Sequence, residues 1–130
     1  MANTNFKIIY KNGYINGSIF EDGITAMLNS DLLAESWGRP IQDPWCGDSD
    51  NPHCTGNSEM IQFEEGFEWK RTQDHAKWAV PIRDGVEFSC LGDMNRMVSQ
   101  WKRGGGFYCI QNERLRSALR NLIVEQETCS

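Results

Sequence analysis

The stretch Trp45-Cys46-Gly47-Asp48-Ser49-Asp50-Asn51-Pro52-His53-Cys54 gathers the residue types that do chemistry. Two thiols, an imidazole, two carboxylates and an amide stand together, with Asp43 just ahead of them. Zinc ligation needs a tetrahedron of nitrogen or sulfur ligands. Cys46 and Cys54 are spaced too widely for a common zinc knuckle. His53 adjoins Cys54, and adjacent residues rarely point at one metal, so further ligands would have to come from His75, Cys90 or an aspartate. Calcium fares no better. Asp48, Asp50 and Glu59 match ligand positions of an EF-hand loop, but His53 replaces the turn glycine and Pro52 an oxygen ligand. A Cys46–Cys54 disulfide is sterically open but requires an oxidising compartment. Nucleophilic catalysis requires a nucleophile beside an oriented base. The two imidazoles, His53 and His75, lie in no nucleophile motif such as G-x-S-x-G. The stretch thus predicts a proline-ordered polar loop with no metal and no cofactor. Trp45 is either a binding anchor or a staple packed on the domain.

A second candidate is Trp101-Lys102-Arg103-Gly104-Gly105-Gly106-Phe107-Tyr108. Glycines beside two bases suggest a phosphate cradle. A phosphate loop, however, leads into a helix N-terminus, where the dipole favours an anion. Here the glycines are expected to follow a helix, which gives the opposite sign. A flexible linker or helix cap is the preferred expectation.

Charge is unevenly distributed. The chain has a net charge of −5, and between Glu21 and Glu68 eleven acids face a single base, Arg39. Arg96, Lys102, Arg103, Arg114, Arg116 and Arg120 lie toward the other end. Clustered carboxylates steer and select a basic partner.

The elements that must position these groups follow from periodicity. Phe6 to Tyr10 is β-prone, and a hairpin turn is predicted at Asn12-Gly13 or at Asn16-Gly17, the other being a bulge or strand end. Ile24, Leu28 and Leu32 predict a helix over 21–38, capped by Asp22. Residues 39–58, with Pro40, Pro44 and Pro52, predict a long polar loop. Met60 to Arg71 alternates as one strand kinked at Gly66. Two more strands, Lys77–Ile82 and Gly85–Cys90, are joined by Arg83-Asp84-Gly85, where Asp-Gly favours a hairpin turn. Met94, Met97, Val98 and Trp101 predict a helix over 93–102, with Trp101 in the core. A strand through Phe107–Ile110 follows. Asn112 then caps a last helix burying Leu115, Ala118, Leu119, Leu122 and Ile123. The expected fold class is α+β: a mostly antiparallel sheet of about five to six strands with three helices in a single layer pair. Residues 1–130 are expected to form a single domain ending in a short disordered tail.

The odd count of five cysteines and the absence of a secretory pattern in the opening residues predict reduced thiols and a cytoplasmic protein, with Cys90 and Cys109 as small core residues. The first functional expectation is a non-enzymatic, inhibitor- or adaptor-like binder of a basic protein surface, such as that of a nucleic-acid-handling protein. Asp43, Trp45, Asp48, Asp50, Glu64 and Glu68 would carry the contact. Small acidic inhibitors of phages and mobile elements share that charge layout. Direct nucleic-acid binding is disfavoured by a pI near 5.0, and no membrane span is expected. One alternative is a small-ligand or nucleotide-binding protein, or a small enzyme, with a pocket near Trp78, Arg83, Trp101, Lys102 and Tyr108. Another is a zinc-stabilised module.

Overall fold

In the computed structural model, which describes residues 4–129, one mixed eight-stranded sheet dominates. The strands are β1 (Phe6–Lys11), β2 (Leu32–Glu35), β3 (Thr55–Glu64), β4 (Phe67–Lys70), β5 (Trp78–Pro81), β6 (Phe88–Gly92), β7 (Gly105–Gln111) and β8 (Ile123–Glu127). Their spatial order is β1-β7-β6-β5-β2-β3-β4, with β8 on the other side of β3. β2 and β3 run parallel, and the other pairs are antiparallel. Only two α-helices are present among the described residues, α1 (Thr25–Leu28) and α2 (Glu113–Leu122). The expected α+β fold of five to six antiparallel strands and three helices is therefore incorrect.

The missing helices have local causes. The 21–38 run opens as a π turn at Phe20–Ile24, passes into α1 and stops at Asn29, a left-handed cap with φ of 51°. The following Leu32, Leu33 and Ala34 are all fully buried in β2. A continuous apolar run is the mark of a strand covered on both faces, and here it mimics a helix in sequence. In the second case, only Val98–Gln100 forms a 3₁₀ turn. Met94 is buried, but Val98 is 61 % exposed, so the apparent helical stripe serves no common face. Trp101 is half-buried, and its indole N–H donates to Gln42 Oε1 over 3.2 Å.

β1 forms no hairpin at Asn12-Gly13 or Asn16-Gly17; it pairs with β7. Asn12 instead accepts the Tyr14 N–H on its side chain, closing a local polar turn. The single strand expected over Met60–Arg71 is a hairpin of β3 and β4, turning at Gly66 with φ of 85°. α2 begins where expected, with the Asn112 side chain accepting the Leu115 N–H at 3.0 Å. Its partly buried Leu119 and Leu122 pack on the core, whereas Ala118 is exposed and Arg116 is buried.

Alternation along β2 and β5 creates two cores. Leu32, Ala34 and Ala79 face Ile19, Phe20, Ile24 and Phe107 on one side. Leu33, Trp78 and Val80 face Ile61 and Ile123 on the other, beneath α2. The cysteines are not all reduced. Cys90 and Cys109 form a disulfide across the registered β6–β7 pair, with Cα atoms 4.0 Å apart. Cys46 bonds to Cys129, whose Cα is 5.5 Å away, leaving Cys54 as a free thiol. Where a C-terminal tail was expected, β8 pairs with β3 and the second disulfide follows it.

Candidate active site

Because β2 lies between β3 and β5, its C-terminal end meets the segment that enters β5. Glu35 pairs with Trp78, and the parallel register Ala34–Asn57 carries Glu35 alongside Ser58. The connection from β4 to β5 crosses this end and brings Arg71, Asp74, His75 and Lys77 to it. Asp74 orders that connection. One of its oxygens accepts the Trp69 indole N–H at 3.1 Å, and the other accepts the Ala76 backbone N–H at 2.9 Å.

The exposed His75 imidazole stacks on Trp37, with ring centroids 5.5 Å apart and planes within 16°. Trp37 is itself held by its backbone N–H, which donates to Asn95 Oδ1 over 3.1 Å. Lys77 reaches back and donates to the His75 carbonyl oxygen at 2.8 Å. Arg71 donates to the Gly38 carbonyl oxygen at 3.2 Å and lies 3.4 Å from Glu59. Glu35 lies fully buried beneath this corner. Burial pushes its carboxyl up to about 7, and the nearby Asp74 adds to the rise, while the Ser58 hydroxyl and Arg71 act against it.

The corner thus combines an accessible imidazole, an ammonium group and a buried acid. An imidazole with free ring nitrogens can attack a phosphoryl or acyl centre or move a proton. A fixed cation beside it stabilises negative charge that develops on oxygen. His53 is placed differently. It is half-buried, its Nε2 lies 2.8 Å from Asn29 Oδ1, and its Nδ1 lies 3.5 Å from Asp31 Oδ1. Among the described residues His75 makes no side-chain hydrogen bond.

The family model for deoxyribonuclease II matches residues 1–129. The chain belongs to the deoxyribonuclease II family. A putative deoxyribonuclease-2 of Burkholderia thailandensis is 38% identical over 117 residues, which cover 88% of this chain and 33% of that protein. Cell-death-related nuclease 7 of Caenorhabditis elegans is 34% identical over 123 residues, covering 92% of this chain and 32% of the relative. Deoxyribonuclease-2-beta of Mus musculus is 30% identical over 126 residues, covering 96% and 35%. The chain spans about a third of the length of these relatives.

Membership in the deoxyribonuclease II family overturns the expectation of a non-enzymatic, inhibitor-like protein binder. It also removes net acidity as an argument against nucleic-acid contact, because total charge says nothing about the local charge of one corner. Nor do the acids expected to bind form one face. Asp43, Trp45, Asp48 and Asp50 lie in the loop before β3, and Glu64 and Glu68 lie on the exposed β3–β4 hairpin. Nine residue steps of β3, roughly 30 Å at strand rise, separate the two groups. Asp48 is used locally, accepting the N–H groups of Asp50 and Asn51 at 2.9 and 2.8 Å.

Two of the basic residues are buried and engaged in ion pairs. Glu21 is buried against Arg96, whose guanidinium also meets Asn57 and the carbonyl oxygens of Gln42 and Asp43. Arg116 similarly pairs with Asp84 and Glu113. The alternative pocket does not assemble. Trp78 is core, Arg83 and Lys102 are exposed on separate turns, and Tyr108 is exposed on β7. Cys46, its sulfur committed to a disulfide, cannot join Cys54 and His53 on a metal, and no cluster of three metal-binding side chains forms among the described residues.

The sequence reading missed Glu35, Trp37, Asp74, His75 and Lys77 as a group. Their available signal was Asp74-His75-Ala76-Lys77 itself, a histidine and lysine flanking one residue just before a strong strand. In a strand-like segment, positions two apart share a side, so this spacing puts His75 and Lys77 on one side of the chain.

Proposed function

We propose that this chain contributes to hydrolysis of DNA phosphodiester bonds and that His75 and Lys77 carry the chemistry. The supporting observation is the exposed His75 ring, stacked on Trp37 with Lys77 two residues away, in a chain of the deoxyribonuclease II family. Phosphodiester cleavage requires a group that attacks or transfers a proton, and positive charge near the phosphate oxygens. His75 supplies the first and Lys77 the second. Trp37 excludes water from one face of the ring and fixes its plane. Asp74 sets the backbone turn from which the ring projects. The Cys46–Cys129 and Cys90–Cys109 bonds support work in an oxidising compartment in place of the cytoplasm first expected.

The test is nicking of supercoiled plasmid by the protein and its His75→Gln variant. Loss of nicking with unchanged thermal stability supports the proposal. Undiminished nicking by the variant refutes it.

A further inference from the structure

Glu35 presents an unusual arrangement for an acid. Its side chain is fully buried, and neither oxygen accepts a hydrogen bond from a described residue. Buried ionised carboxylates normally gather donors or a guanidinium, because desolvation otherwise disfavours the charge. Glu21 shows that ordinary solution in the same chain, with one oxygen meeting both Arg96 and Gln42. Near Glu35 the Ser58 hydroxyl is also without a partner.

The charged and titratable groups around Glu35 come from two elements. β3 contributes Glu59, which is engaged with Arg71. The β4–β5 connection contributes Arg71, Asp74, His75 and Lys77. Burial is the main cause of the raised Glu35 carboxyl, and Asp74 is the neighbouring acid that adds to it. The two Asp74 oxygens already receive the Trp69 and Ala76 N–H groups, whereas Glu35 receives none from a described residue. Two adjacent carboxyls, one of them fully buried, do not both ionise readily, so one retains a proton. With the donors on Asp74, that proton belongs to Glu35.

We propose that Glu35 is a positioning residue of the nuclease site: in its protonated form it donates to the Asp74 carboxylate and thereby holds the Asp74–Lys77 turn that presents His75. This inference rests on the proposed role of His75. The proton leaves Glu35 as pH rises through about 7. Two neighbouring negative charges then repel, with Arg71 offsetting part of that repulsion, and the turn loosens.

The Ala76 amide reports on this contact, because it donates to Asp74 at 2.9 Å. Its NMR shift is followed against pH in the His75→Gln chain, which removes the neighbouring imidazole. We expect an inflection near 7, and its absence when Glu35→Gln is added. Persistence of the inflection in the double variant, or no inflection above the ordinary carboxylate range in the single one, overturns the proposal. A variant-free measurement is the side-chain carboxyl carbon resonance of Glu35 in the wild-type chain. Titration near 7 supports the proposal, and titration together with the exposed glutamates refutes it. These readouts require no DNA cleavage. If His75→Gln still nicks plasmid, the site assignment fails while the Glu35–Asp74 contact stands or falls on the titrations alone.

Discussion

The Asp43–Cys54 loop and the Glu35–Trp37/Asp74–Lys77 corner contain much the same chemical vocabulary: carboxylates, one histidine and one tryptophan each. In the loop most of these groups have partners, although the buried Trp45 indole N–H has none among the described residues. Asp48 accepts two backbone N–H groups, His53 lies between Asn29 and Asp31, and Cys46 is bonded to Cys129. In the corner they do not. His75 has one face on Trp37 and is otherwise open, and the Glu35 carboxyl is buried with no partner. The dense region is built for shape, and the sparse one leaves groups free to react.

The contrast can be broken at its structural end first. Arg96 joins Glu21, Asn57 and the carbonyl oxygens of Gln42 and Asp43, and the Arg96, Glu21 and Asn57 side chains are buried. Arg96→Ala leaves the Glu21 charge unpaired and should cost about 3–5 kcal/mol, the usual range for a broken buried pair. Urea unfolding measures it, and a loss below 1 kcal/mol would mean that the pair behaves like a surface bridge.

The corner gives the next largest effect. The Glu35 carboxyl is raised from an ordinary 4.5 to about 7, so the folded state binds the proton more tightly than the unfolded chain. Its contribution is fully present below 4.5 and is lost as pH rises through about 7. The chain should therefore lose up to about 3 kcal/mol between those conditions. In Glu35→Gln that loss should vanish from the pH dependence of denaturant midpoints. An equally steep decline in the variant would assign it to another group.

The contrast also explains what was legible in the sequence. The strands at Trp78–Pro81 and Phe88–Gly92 and the Asn112 cap were readable because alternation, turn residues and capping act locally. Leu32–Glu35 was not, because a strand buried on both faces has no alternation, and Leu32 extended the helical period of Ile24 and Leu28. The Glu35–Trp37/Asp74–Lys77 corner was hidden for a related reason. It needs residues 35–37 beside 74–77, and that juxtaposition comes from the β2–β5 pairing, which no local pattern encodes. The conspicuous acids drew attention because their charges could be counted, whereas Arg96, which pairs one of them, Glu21, is far away in sequence.

The smallest expected effects belong to the loop acids. Asp43, Asp48 and Asp50 are exposed, and Asp48 keeps its accepting oxygen when changed to Asn. Asp43→Asn, Asp48→Asn and Asp50→Asn should each shift stability by no more than about 0.5 kcal/mol and leave plasmid nicking unchanged. Thermal unfolding and the nicking assay check both. A large loss of nicking would return these acids to the site.

The central claim is that the open histidine, and not the enclosed one, carries the reaction. The most direct measurement compares plasmid nicking by His75→Gln and His53→Gln at equal concentration, with melting temperatures recorded alongside. A proton-transferring or attacking imidazole is worth about 10²–10⁴-fold. His75→Gln should lose activity on that scale without losing its fold, and His53→Gln should keep it. Nicking that survives His75→Gln, or that disappears with His53→Gln in a folded protein, contradicts the account.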